Sequence, residues 1–276
     1  MVVVGKFLYV IADDELHLGV FDGNGAGTLV RLFPGELPEG HAERKALKPD
    51  LEALVRLPSF PGYPHGALLA LASGSKRNRN AGVVLKLDGS GLIVGEPFLY
   101  DLTSFYAQLE NRFPALNIEG AVVLGDELIL FQRGSKAQPE SALVRFPLRG
   151  ILRPIASGTT NAFSTTASRV QIFDLGTIEG ALLSFTDGAA LPDGRIVFSA
   201  VAENTEDNYL DGPCLGAVVG IIGTEGSLDS MHRLEPTEKV EGIHATVEGD
   251  RMILLLVTDA DDASAPAKLL TAEISD

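Results

Sequence analysis

The chain has no tryptophan and a single cysteine, Cys214. One thiol cannot close an intrachain disulfide, so the core alone must hold the fold, as suits a reducing compartment. Cations are scarce as well: 22 Lys+Arg stand against 37 Asp+Glu, a formal net charge of −15. A surface of that sign repels nucleic acid and anionic membrane, so neither is expected as a partner. No uninterrupted apolar run approaches the ~20 residues of a membrane span. The opening MVVVGKFLYVIADDE lacks the basic head and small-residue cleavage site of a secretory leader, which makes the cytoplasm the expected location.

What the chain does have is apolar β-forming sequence. Hydrophobic residues make up 45% of its 276 positions, enough for a sizeable core. One short pattern recurs, a hydrophobic residue, Glu, a small residue and an apolar run. It appears as LEALVRL at Glu52, IEGAVVL at Glu119, IEGALLSF at Glu179 and VEGIHATV at Glu241, at intervals of 67, 60 and 62 residues. Turn signals follow three of the copies, Gly125-Asp126, Pro192-Asp193-Gly194 and Gly249-Asp250. A long aliphatic run comes after each turn, and then one more β-rich stretch. The first ~35 residues supply four further strands without a Glu. Only DLTSFYAQLENRF, near 101–113, has helical periodicity.

Five units of about four strands predict an all-β, β-propeller fold, with units near 1–48, 49–115, 116–175, 176–237 and 238–276. The stretch 149–176 is long enough to hide strands of a sixth blade. A β-sandwich accounts for the strands but not for the repeat.

The repeated Glu falls at strand entry, and the small residue after it suits a close backbone approach. Antiparallel order brings the loops after the second strands to the same rim as these entries. Those loops carry Asp13, Asp14 and Glu15 in the first unit, and Ser73, Ser75, Lys76, Arg77 and Arg79 in the second. The third has Gln132, Arg133 and Ser135, the fourth Glu203, Asn204, Asp207 and Asn208, and the fifth Thr258, Asp259, Asp261 and Asp262. Converging carboxylates repel one another, and protonation, pairing with Arg or Lys, or a bound cation can relieve this. Their oxygens suit Ca²⁺ or Mg²⁺ rather than zinc. Glu52, Glu119, Glu179, Glu241 and Asp259 are therefore the expected ligands of a divalent cation, with Ca²⁺ first. Lys76, Arg77, Arg79 and Arg133 would bind an anionic substrate or pair with the acids. His244, three residues after Glu241, is a candidate general base. The structural alternative gives the Glu set a role in holding blades together, and gives the same rim to a small ligand or a protein partner.

The stretches KVEGIHATVEGDRMILLLVTDADD, FLYVIADDELHLGVFD and NIEGAVVLGDELILFQRG resemble blades of phytase-like and esterase-like-phytase propeller proteins. That resemblance implies a propeller and a metal-dependent hydrolase of phosphate or carboxylic esters. Sugar-lactone propellers are similar in using a Glu at a Glu-Gly blade entry as a metal ligand. Their following Pro is replaced here by Ala121, Ala181 and Ile243.

Overall fold

The structure, a computed structural model, describes residues 1–160, 163, 165–204, 212–261 and 265–275. Its fold is an all-β, five-bladed β-propeller. The first sheet holds β1 (Val2–Val4), β2 (Phe7–Ile11), β3 (His17–Phe21) and β4 (Gly27–Arg31), and helix α1 (His41–Leu47) follows. The second holds β5 (Leu51–Leu57), β6 (Ala67–Ala72), β7 (Ala81–Lys86) and β8 (Phe98–Asp101), with α2 (Thr103–Glu110) after it. The third holds β9 (Ile118–Leu124), β10 (Glu127–Gln132), β11 (Ser141–Pro147) and β12 (Arg169–Phe173), with α3 (Arg149–Ser157) inserted before its last strand. The fourth has five strands, β13 (Thr177–Ile178), β14 (Ala181–Ala190), β15 (Ile196–Glu203), β16 (Cys214–Ile222) and β17 (Leu228–Arg233). The fifth has three, β18 (Val240–Glu248), β19 (Arg251–Thr258) and β20 (Leu269–Ser275). In every sheet each strand bonds to its neighbour in sequence, the up-and-down order that short turns impose.

Among the described residues there is no sixth blade, and those of the stretch 149–176 include α3 and the edge strand β12. Helix α3 was hidden in the sequence by Gly150 and Pro154, both poor helix formers. It forms because Ile151, Pro154 and Ile155 share one helical face and are all buried.

The chain divides into two compact units. One comprises Met1–Ile118, Asp126–Leu128 and Phe146–Ser168, and the other Glu119–Gly125, Ile129–Arg145 and Arg169–Asp276. In the first, β6 (ALLALA) is buried along its whole length, so it is apolar on both faces instead of alternating. Tyr9 closes this core and donates its hydroxyl to the Gly91 carbonyl at 2.6 Å.

In the second unit Phe131, Phe185 and Phe198 meet edge to face, at centroid distances of 5.3 and 5.0 Å. Gly188 makes room for them, since a Cβ there would lie 2.2 Å from the Phe131 ring. Gly120, the small residue after Glu119, has the same function against backbone: a Cβ would stand 2.8 Å from the Asp187 Cα. Backbone cannot yield as a flexible side chain can. We expect Gly120→Ala to lower the midpoint of urea unfolding, with a loss of about 1–3 kcal/mol, the usual cost of overpacking. An unchanged midpoint would show that β9 and β14 can separate freely.

Candidate functional site

Polar side chains in both units gather where first strands begin and second strands end. A backbone irregularity presents them. The β18–β19 register slips between Val240 and Gly242, leaving Glu241 unpaired on a bulge. The β5–β6 register slips in the same way between Leu51 and Ala53, at Glu52. In the fourth sheet the slip falls between Phe185 and Asp187, so the counterpart of these glutamates is Thr186. Glu179, seven residues earlier, occupies the two-residue turn between β13 and β14, with φ of 52° before Gly180 at 85°. It is exposed, and among the described residues it belongs to no trio of converging acids. The Ile-Glu-Gly match at this point was a hairpin turn, and the sequence period was carried instead by Phe-Thr-Asp. Thr186 donates its hydroxyl to the Val240 carbonyl at 2.7 Å, a neutral tie between neighbouring first strands.

In the second unit the bulge and loop residues form one buried charge cluster. Arg133, just past β10, donates from Nη1 to Glu119 Oε2 at 3.1 Å and from Nη2 to Glu203 Oε2 at 2.5 Å. Glu203 bridges to a second cation, with its Oε1 3.0 Å from Lys239 Nζ. Lys239, immediately before β18, also lies 3.3 Å from Glu241 Oε1 and 2.5 Å from Asp261 Oδ2. Glu119 is 5% exposed, Glu203 9% and Glu241 22%, so the charges sit largely out of water. Four carboxylates face two cations. Burial would discharge Arg133 and Lys239, but the surrounding acids outweigh it and hold both firmly protonated. Glu241 bears the imbalance. Burial raises its carboxyl to about 8, while Lys239 and Arg133 oppose the rise. The Oε1 atoms of Glu203 and Glu241 are buried with no hydrogen-bond geometry.

Around this cluster, Asp187 is buried and accepts backbone N–H groups from Gly188 at 2.8 Å and Ile243 at 3.1 Å. Cys214 is paired with Glu203 in the β15–β16 ladder, and burial raises its thiol above the ordinary range. Two expected members stand apart. Asp259 is exposed, and its Oδ1 accepts the Asp261 N–H at 2.8 Å, so it shapes the turn that delivers Asp261 to Lys239. His244 is half-buried in β18, and burial lowers its pKa, which leaves a neutral ring at pH 7. Asp207, Asn208 and Asp262 lie outside the described residues.

The first unit builds its own acidic corner. Asp13, Asp50 and Glu52 present carboxylate oxygens that lie within 4.8 Å of one another, the one such trio among the described residues. Lys48 bonds Asp13 and lies 3.0 Å from Asp50 Oδ1. Arg79, buried, donates to Asp50 Oδ2 at 2.9 Å and to Ser75 Oγ at 2.8 Å, and Ser73 also bonds Asp50. Burial raises the Asp13 carboxyl against the pull of Lys48. Arg79 is thus an acid-pairing residue. Arg77 is exposed, and Lys76 is half-buried with its pKa lowered by burial and by Arg79.

Sequence reasoning missed Lys48, Asp50 and Lys239. The signal was present two residues before Glu52 and Glu241, where Asp50 and Lys239 stand in register with the repeat.

The fold and its acidic strand entries define a β-propeller with charge-paired loop ends. The sequence matches the model of a family of unknown function, DUF6929, over residues 1–274, and the chain belongs to that family. Comparison with curated proteins finds no match. Among solved structures it is similar to hydrazine synthase from Kuenenia stuttgartiensis, at 14% identity and a TM-score of 0.42 over 92% of this chain and 62% of that one. A gluconolactonase from Xanthomonas campestris matches at 14% identity and a TM-score of 0.34, over 74% of this chain and 57% of the other. A variant of Synechocystis apocarotenoid oxygenase matches at 15% and 0.41, over 94% and 58%. The chain spans about three-fifths of the length of each. Among the described residues no helix is long and apolar enough to cross a membrane.

The raised Glu241 carboxyl makes stability depend on pH in a definite direction. Its folded value, about 8, lies above the ordinary 4.5, so the native state holds a proton that the unfolded chain releases. The stabilisation is complete below pH 4.5 and disappears as pH rises to about 8. Urea unfolding should show stability falling across that window, and Glu241→Gln should flatten this part of the slope. A slope identical in the variant would remove the proton from Glu241.

Proposed function

We propose that the chain is an ester hydrolase in which Glu241 is the general base. One observation carries this reading: the carboxyl of Glu241, whose side chain is 22% exposed, sits in a cluster of buried charges and is pushed up to about 8, close to working pH. A base is most effective when its pKa lies near the pH at which it works, and strongly perturbed carboxyls concentrate at functional sites. The resemblance to phytase-like, esterase-like and sugar-lactone propellers supports the same reaction class. Within that class the cluster favours a carboxylic ester or lactone over a phosphate ester. Both of its cations are already bound to carboxylates, and the surplus charge is negative.

The chemistry is direct water attack. The Glu241 carboxylate takes a proton from water as the water oxygen adds to the ester carbonyl carbon; the acyl C–O bond then breaks, and the alcohol leaves with that proton, which restores the carboxylate. Lys239, 3.3 Å from Glu241, offsets negative charge as it builds up. A panel of p-nitrophenyl esters, sugar lactones and p-nitrophenyl phosphate tests the reading. Turnover should rise with pH up to about 8, and Glu241→Gln should reduce kcat/KM by about 10²–10⁴ without unfolding the protein. Absence of wild-type turnover, with ligands bound but unchanged, would make the chain a non-catalytic binding propeller.

A second reading rests on Asp13, Asp50 and Glu52. Three hard oxygens suit a divalent cation, calcium first, whose charge would polarise a bound carbonyl or phosphoryl oxygen. The Lys48 ammonium already bonds two of the three acids, so a metal must displace it. We expect Ca²⁺ at about 100 Kd to raise stability by ~2.7 kcal/mol, read as a thermal shift. No shift with Ca²⁺, Mg²⁺ or Mn²⁺ would leave Lys48 and Arg79 as the counter-ions of these acids.

A further inference from the structure

The fifth sheet has one strand fewer than the first three, and its last strand, β20, bonds to β19 alone among the described residues. The shortfall shows in burial. Strands β7, β11 and β16, each followed by a further strand in its sheet, bury most of their residues. In β20 none of residues 269–274 is buried. Leu270, Ala272 and Ile274 pack on the core of Met252, Leu254 and Leu256 yet stay partly uncovered. We propose that this edge pairs with the β20 edge of a second copy of the chain, antiparallel about a twofold axis at Ala272.

The hydrogen-bond alternation permits that pairing. Thr258 donates its N–H to the Lys268 carbonyl at 3.1 Å, so Lys268, Leu270, Ala272 and Ile274 direct their backbone groups inward to β19. Leu269, Thr271 and Glu273 therefore present theirs outward, along the open edge. With the axis at Ala272, Thr271 stands opposite the second copy's Glu273, and the two exchange both N–H···O bonds.

The side chains fit the same register. Leu270 meets Ile274 and Ala272 meets its own copy, which extends the apolar face of both sheets. Thr271 donates its hydroxyl to the opposing Glu273 carboxylate, whose charge Arg251 offsets at 3.5 Å. An axis at Glu273 would set two carboxylates face to face, and one at Thr271 would set Leu269 against Glu273.

The edge is also poorly defended. It has seven residues, against four to six in the outer strands β4, β8, β12 and β17, and Glu273 is its only charge. Sheet edges are ordinarily kept short or charged to prevent such pairing. A contact between like edges closes at two copies, so it gives a dimer and not a fibre.

A strand pair of this length is a small interface, which sets the expected Kd on the order of 10 µM. Sedimentation equilibrium on the full chain, from about 1 to about 300 µM, should show monomer passing to dimer. Thr271→Pro removes an outward N–H while sparing the β19 ladder, and should weaken association about tenfold or more with the melting temperature little changed. Thr271→Lys faces Glu273 twice across the axis and should tighten the dimer about threefold, whereas Thr271→Glu should weaken it by as much. Glu225→Gln, an equal change of charge in an exposed turn, should leave the Kd within about twofold. In amide exchange, Thr271 and Glu273 should gain protection with concentration, while Leu270 and Ala272 are protected throughout. The proposal is overturned if the chain stays monomeric over that range or if Thr271→Pro, folded as before, dimerises as the wild type does. It is equally overturned if Thr271→Lys and Thr271→Glu shift the equilibrium in the same direction, a result that does not depend on the proline variant.

Discussion

Glu119 and Glu203 are almost wholly removed from water, and a single guanidinium has to compensate both. Much else in the second unit follows from that requirement. An isolated buried carboxylate is far too costly, and truncating one member of a buried pair typically costs about 3–5 kcal/mol by leaving the other charge uncompensated. Arg133 therefore ties the end of β10 to the start of β9 and the end of β15. Lys239 continues the chain of contacts from Glu203 to Glu241 and Asp261. These charges fix strand ends whose apolar bodies are already packed. They contribute specificity of position more than net stability.

The bulges explain how such groups come to stand together. In a regular ladder, alternate side chains leave the sheet on opposite faces, and a residue at strand entry would be held in that alternation. An extra residue at Glu52, Thr186 or Glu241 breaks the register for one step and re-aims the side chain. Gly120 shows what this arrangement requires of its surroundings, since the adjoining strand leaves no room for a Cβ. The Glu-small pair thus has one polar member that is displayed and one that permits close approach.

That pairing made much of the fold legible in the sequence. The four strands read in the first 35 residues correspond to β1–β4, and the helical periodicity near 101–113 corresponds to α2. The rule that strand entries and second-strand ends share a cluster anticipated Arg133 beside Glu119, and Arg79 among the acids of its own unit. Glu179 was misread because Ile-Glu-Gly is as good a hairpin turn as it is a strand entry, and both residues have positive φ. Its true counterpart, Thr186, is uncharged and could not be found by searching for Glu. Lys239 and Lys48 were missed for a different reason: a lone lysine in an acidic chain reads as surface until its partners are known. Helix α3 was hidden by residues that usually break helices.

Both units gather more acids than cations, and the proposed role of Glu241 rests on how the second carries its surplus. In the first, Lys48 and Arg79 face Asp13, Asp50 and Glu52, two serine hydroxyls add hydrogen bonds, and burial raises the Asp13 carboxyl. In the second, two cations meet four acids, and Glu241 is the carboxyl driven towards protonation. A cluster serving only to fasten strands gains nothing from that surplus, since a glutamine at Glu241 would fill the same space without the repulsion. A carboxyl that exchanges its proton near neutral pH does gain from it, because the acids that burden Glu241 also bring its pKa to where a base can act. The retained excess of negative charge is therefore what the proposed role of Glu241 as a base would use.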